Sequence, residues 1–241
     1  MSKILEDWEV LPHGRLEAID DGILTVTGEI RMPLGNFPRR MTVVALCGHR
    51  TAIYSAIALD EPQMAEIEAL GRPSFLIVPG DAHRLDAKIW KNRYPDIAVL
   101  APPGAQAKVA EAVPVDATTD ILADPDVRFQ VVPGAEGHEA VLVVRKGSGT
   151  TLICNDIIAN VAHPHGIGAS IMSRLFGFGV SEPHIPWPVA MRIIDDKPAL
   201  AAQLRTWAAE PGLRRLIVSH GDPIESGAKD VLMTLADSLD A

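Results

Sequence analysis

Apolar runs broken by Gly and Pro set the layout of this chain. Met41–Leu46 and Thr51–Ser55 are rich in β-branched residues and flank Gly48-His49-Arg50, so they predict an antiparallel hairpin. Ile23–Thr27 reads as another strand, and Trp8–Leu11 as a short one. Arg31–Arg40 carries Pro33, Gly35 and Pro38 and reads as a loop. Asp60 begins a helix with Pro62 in its first turn and Gln63 at capping-box spacing; Met64, Ile67 and Leu70 form its stripe and Gly71 its end. Phe75–Val78 and Ile97–Leu100 are unbroken apolar runs, as strands buried on both faces should be. Helices are expected over Asp86–Tyr94 and Ala105–Val113.

The second half repeats the plan of strands first and helices after. Val127–Val132, Glu139–Val144, Thr150–Cys154 and Leu213–Val218 are expected strands. Helices are expected near Ala169–Phe176, from Asp196 with Leu200, Leu204 and Trp207 inward, and after Ser226 with Leu232, Leu235 and Leu239 inward. Residues 159–188 are crowded with Gly, Pro and His and resist a pattern reading. No linker, low-complexity tract or repeat divides residues 1–241, so one domain is expected, with two packed sheets and helices outside.

Composition narrows the class. The 241 residues are 47% hydrophobic and 22% charged, as in a soluble globular protein. A net charge of −9 and the lack of a long basic run argue against nucleic acid or anionic membrane as a partner. The N-terminal residues are too acidic for a signal peptide, and no apolar stretch reaches the length of a membrane span, so a cytoplasmic location is expected. Cys47 and Cys154, each in an apolar setting, read as buried free thiols.

The polar residues at strand ends carry the chemistry. Phe75–Val78 runs into Pro79-Gly80-Asp81-Ala82-His83-Arg84-Leu85-Asp86, and His138, Asp156 and His220 also stand at strand ends. Asp81 and His83, two apart, point to one side if the segment is extended. Three carboxylates and three imidazoles make a donor set for one or two divalent metals: zinc, iron or manganese. A metal held there would bring a water's pKa towards neutrality and yield a nucleophile. His163-Pro164-His165 has the spacing of a further ligand pair in a loop after Asp156.

Leu152-Ile153-Cys154-Asn155-Asp156, Ile217-Val218-Ser219-His220-Gly221-Asp222-Pro223-Ile224 and Pro133-Gly134-Ala135-Glu136-Gly137-His138 together resemble the metallo-β-lactamase fold superfamily. The resemblance runs from the N-terminal β half to Pro223. It implies an α/β, four-layer αββα sandwich and a metal-dependent hydrolase acting on a small-molecule substrate. It also implies one metal site from Asp81, His83 and His138 and another from Asp86 and His220, with Asp156 between them; Asp86 and Asp156 are the candidate catalytic carboxylates.

The family's His-x-His-x-Asp-His turn is altered here. Asp81 stands for the first His, Leu85 for the Asp and Asp86 for the last His, while His83 is kept. The other register, with His83 first, puts Leu85, Ala87 and Lys88 at ligand positions and fits worse. Carboxylates in place of imidazoles favour harder ions, manganese or iron over zinc. The loss of a ligand also opens a second reading, a metal-free scaffold that binds a small molecule or a protein without catalysis.

Overall fold

The computed structural model describes residues 4–32, 35–161, 177 and 179–240, with side chains at 31–37 left aside. The strands form two sheets. β1 (Glu17–Asp20), β2 (Ile23–Met32), β3 (Gly35–Leu46), β4 (Arg50–Tyr54), β5 (Arg72–Ile77) and β6 (Ala98–Leu100) lie in sequence order in the first. β7 (Val127–Val131), β8 (Ala140–Lys146), β9 (Gly149–Cys154) and β10 (Leu213–Val218) form the second, in the order β10-β9-β8-β7. β4, β5 and β6 run parallel, joined through α1 (Glu61–Leu70) and α2 (Ala87–Arg93). β9 and β10 are also parallel, and the remaining pairs are antiparallel. A short α3 (Gln106–Val109) follows β6; α4 (Trp187–Ile193) and α5 (Lys197–Ala208) precede β10, and α6 (Ala228–Asp240) follows it.

Strand periodicity divides the core into three parts. Ala52, Tyr54, Phe75 and Ile77 face Leu142, Val144, Ile153 and Ile217 between the sheets. The alternate residues Ile53, Leu76 and Val78 turn outward under α1 and α2 with Met64, Ile67 and Trp90. On the other side Val141, Val143, Leu152, Leu216 and Val218 pack under α5 and α6 with Leu200, Leu204, Trp207, Leu232 and Leu235. Both faces of the central strands are therefore buried, which is why their sequences are almost wholly apolar. The layers are helix, sheet, sheet, helix, the αββα order that the sequence implied.

Several expectations are corrected. Residues 31–40 are mostly strand: β2 and β3 pair from Ile23↔Val44 out to Met32↔Gly35. Pro38 fits because β4 pairs with β3 only from Thr42 onward, so this half of β3 has a free edge where a missing N–H costs nothing. Trp8–Leu11 is not a strand; Trp8 packs at a tilt against Trp90, ring centroids 5.7 Å apart, and donates from Nε1 to the Leu59 carbonyl at 3.1 Å. Cys47 is exposed in the β3–β4 turn, where its N–H donates to Asp124 at 2.6 Å; Cys154 alone is buried. α1 starts as expected, with the Asp60 carboxylate accepting from Gln63 N–H at 3.1 Å. The helix expected near Ala169–Phe176 lies outside the described residues. Among the described residues no helix is long and apolar enough to cross a membrane.

Candidate metal centre

One end of the sandwich gathers the chemistry because the strand directions agree there. The carboxyl ends of parallel β4 and β5 deliver Ser55 and the Pro79–Asp86 turn, those of β9 and β10 deliver Asp156 and His220, and the amino end of antiparallel β8 delivers His138 and Glu139. Backbone bonds clamp the two sheets across this end. Ala140 N–H donates to the Pro79 carbonyl at 3.1 Å, and the buried Tyr54 hydroxyl donates to the Ala140 carbonyl at 2.7 Å. Arg40, buried, donates through Nη2 to the Gly221 carbonyl at 2.9 Å and through Nη1 to Thr25 Oγ1 at 3.1 Å, so β3 holds the turn after His220.

His83, Asp156 and His220 converge. One donor atom from each lies within 4.8 Å of the others. Asp156 Oδ1 is 3.2 Å from His83 Nε2 and 2.9 Å from His220 Nε2, and the two rings are 5.2 Å apart between centroids. The outer ring nitrogens are held as well. His220 Nδ1 is 2.7 Å from the Pro38 carbonyl, which can only accept, so Nδ1 carries the proton and Nε2 faces the centre. His83 Nδ1 is 2.8 Å from Ser55 Oγ, which can give or take a proton. Ser55 sits at φ +56°, an unfavourable backbone for a serine, directly after β4.

The electrostatics follow from this packing. Burial would raise the Asp156 carboxyl, but the two imidazoles outweigh it and hold the group well below the usual carboxylate range. Burial would lower His220, but its bond to Asp156 holds it above its ordinary value. Glu139 lies beneath, with one oxygen accepting from Asn155 Nδ2 at 3.0 Å and the other from Asp156 N–H at 3.2 Å. Burial, then the charge of Asp156, pushes the Glu139 carboxyl well above its ordinary range. Gly80 is required here: a Cβ would come within 2.9 Å of both Asn155 Nδ2 and Glu139 Oε1.

The other candidates make other contacts. Asp81 and His138 pair with each other, Oδ1 to Nδ1 at 3.1 Å, and Arg192 Nη2 reaches Asp81 Oδ2 at 2.7 Å. Residues 81–86 are a series of turns, so the side-by-side geometry expected of an extended Asp81-x-His83 does not arise. Asp86 is displaced from the assignment made on sequence. It is 1% exposed, one oxygen paired with Arg39 and the other accepting from Ala58 N–H at 3.0 Å, and it does not join the converging donors. Leu85, at the family's Asp position, packs against the core beside α2. His163 and His165 lie outside the described residues.

Sequence reasoning missed Ser55, Glu139 and Arg192. Glu139 adjoins a flagged His at a strand start, a usable signal; Ser55 gives none. Arg192 belongs to α4, which Pro186-Trp187-Pro188 could have announced as a helix start.

Two imidazole Nε2 atoms and a carboxylate oxygen on one point suit a divalent ion such as zinc, iron or manganese. No family model and no curated protein matches the chain. Solved structures do. The metallo-β-lactamase FIM-1 from Pseudomonas aeruginosa, in its mono-zinc form, superposes with a TM-score of 0.58 at 15% identity over 95% of this chain and 96% of its own. A metallo-β-lactamase from Erythrobacter litoralis gives 0.59 at 17% identity over 92% and 96%. One from Hirschia baltica gives 0.58 at 13% identity over 93% and 98%. At such identities the likeness is one of architecture, and it spans both sheets and their helices: this chain has the metallo-β-lactamase fold.

Proposed function

We propose that the chain is a metal-dependent hydrolase whose metal is held by His83, Asp156 and His220, acting on a small molecule. The observation that carries this reading is the convergence of those three donors within 4.8 Å at the strand ends. A bound divalent ion would supply a Lewis acid that acidifies water and draws charge from a carbonyl or phosphoryl oxygen. The protein's part is preparation. Pro38 and Ser55 hold the outer nitrogens of His220 and His83, which keeps the inner Nε2 atoms aimed at Asp156. Glu139 fixes the backbone of Asp156. Ser55 is only 5% exposed, so its hydroxyl orients an imidazole rather than attacking substrate.

The likeness to metallo-β-lactamases supports hydrolysis as the reaction class. Replacing Asp156 or His220 with Ala should abolish tight zinc, iron or manganese binding, read by elemental analysis after reconstitution, together with turnover in a panel of chromogenic esters, lactams and phosphodiesters. Metal content that survives both changes rules this site out. A second reading, a metal-free binding module, is favoured by Asp156 being already satisfied by both imidazoles. Wild-type protein that stays empty with all three metals would select it.

A further inference from the structure

Asp81 occupies the place where the resemblance expects a metal-binding His, yet its carboxylate is taken. Oδ1 meets His138 and Oδ2 meets Arg192. Among the described residues the only three-donor group is His83, Asp156 and His220, so Asp81 and His138 form a two-donor pair. Two protein donors fall short of the three or four that hold a divalent metal firmly. The positive charge beside them is a guanidinium instead.

Arg192 stands on α4, whose Pro188, Val189 and Ile193 wall a cavity of about 150 Å³. Asp81, His138, Glu139 and Asp156 line the same cavity, so Arg192 shares that space with Asp156, one of the three converging donors. The Asp81 side chain is 15% exposed and that of Arg192 is 65% exposed. One end of the guanidinium is thus anchored in the cavity wall while much of the fork stays open to solvent. A guanidinium stays protonated at any working pH and presents planar donors that match carboxylate and phosphoryl oxygens. Anchoring by Asp81 orders it in advance, which lowers the entropy lost on binding.

We propose that the chain holds a single metal ion, at His83, Asp156 and His220, and that Arg192, anchored by Asp81, is the site's second positive charge and binds the anionic group of a small substrate. This rests on the metal-hydrolase reading, and the test separates the two. Full-length protein is saturated with zinc, desalted and analysed for metal, then titrated calorimetrically with inorganic phosphate and, separately, acetate. The expected result is one zinc per chain and binding of at least one of the two anions. Arg192→Met should weaken that anion by about tenfold or more with zinc content unchanged, and Arg192→Lys should recover part of the loss. Asp81→Asn should also weaken the anion while leaving zinc in place. The anion that responds distinguishes a carboxylate from a phosphoryl substrate. Two zinc ions per chain, binding of neither anion, or equal binding by wild type and Arg192→Met would overturn the proposal. Protein that takes up no zinc would instead overturn the metal-hydrolase reading beneath it.

Discussion

The two ends of the sandwich use the same carboxylate in opposite ways. At the end away from the candidate centre, Asp20 closes β1 against the β8–β9 turn. It accepts from Ser148 N–H at 3.0 Å, Ser148 Oγ at 2.8 Å and Arg215 Nη1 at 2.7 Å. Gly147, at φ +59°, leaves that carboxylate its room, since a Cβ would strike it. At the other end Asp156 meets His83 and His220. Arg215 has no lone pair to offer, so the Asp20 cluster can only be a clasp. An imidazole that gives up a proton exposes a nitrogen lone pair, so the Asp156 cluster can exchange protons for a metal. Partner chemistry, rather than the carboxylate, decides which end is structural and which is reactive.

The largest expected effect tests whether scaffold and centre are separable at the reactive end. Asp86→Ala leaves Arg39 buried without its partner, which should cost about 3–5 kcal/mol in urea denaturation. Zinc uptake by the fraction still folded should be unchanged, because Asp86 is not one of the converging donors and its oxygens are held by Arg39 and Ala58 N–H. Loss of zinc from folded protein would return Asp86 to the metal site.

Next is Ser55→Ala, aimed at the orienting contact on His83. Zinc affinity, measured by competition with a chelator, should fall about ten- to a hundredfold. Thermal stability should move little, since one hydrogen bond is worth about 1 kcal/mol. Unchanged affinity would mean that Ser55 does not orient the ring.

The smallest effect belongs to the clasp. Burial would raise Asp20, but the Ser148 and Asp21 groups and Arg215 outweigh it and pull its pKa down to about 2 from 3.8. A folded-state pKa below the unfolded value means stabilisation that is complete above pH 4 and lost as pH falls towards 2. Asp20→Asn should therefore cost about 1–2 kcal/mol at neutral pH and flatten that part of the stability profile, with zinc binding untouched. If the profiles of variant and wild type are parallel between pH 4 and 2, the clasp contributes nothing.

Much of this architecture was legible in the chain. Phe75–Val78, Ile97–Leu100 and Leu216–Val218 are apolar on both faces because each is covered by a sheet and by helices. The strand-end positions of Asp156 and His220 followed from the runs before them. Local pattern failed where a distant partner decides the outcome. Pro38 and Gly35 looked like loop residues because nothing nearby shows that β4 stops short of them. Asp86 looked like a ligand because its counter-ion, Arg39, lies 47 positions away. Ser55 matters only through His83, 28 positions on. Arg192 lies in a stretch where Pro and Gly hid a seven-residue helix.

The Pro38 carbonyl has a consequence for heredity. The atom that orients His220 belongs to the main chain, and every amino acid carries it. No codon change at position 38 can delete it; a substitution there can only shift the strand that presents it. His83 depends on a hydroxyl that one nucleotide can erase. Random mutation should therefore erode the His83 side of the centre well before the His220 side, and surviving variants should drift at position 38 more freely than at position 55.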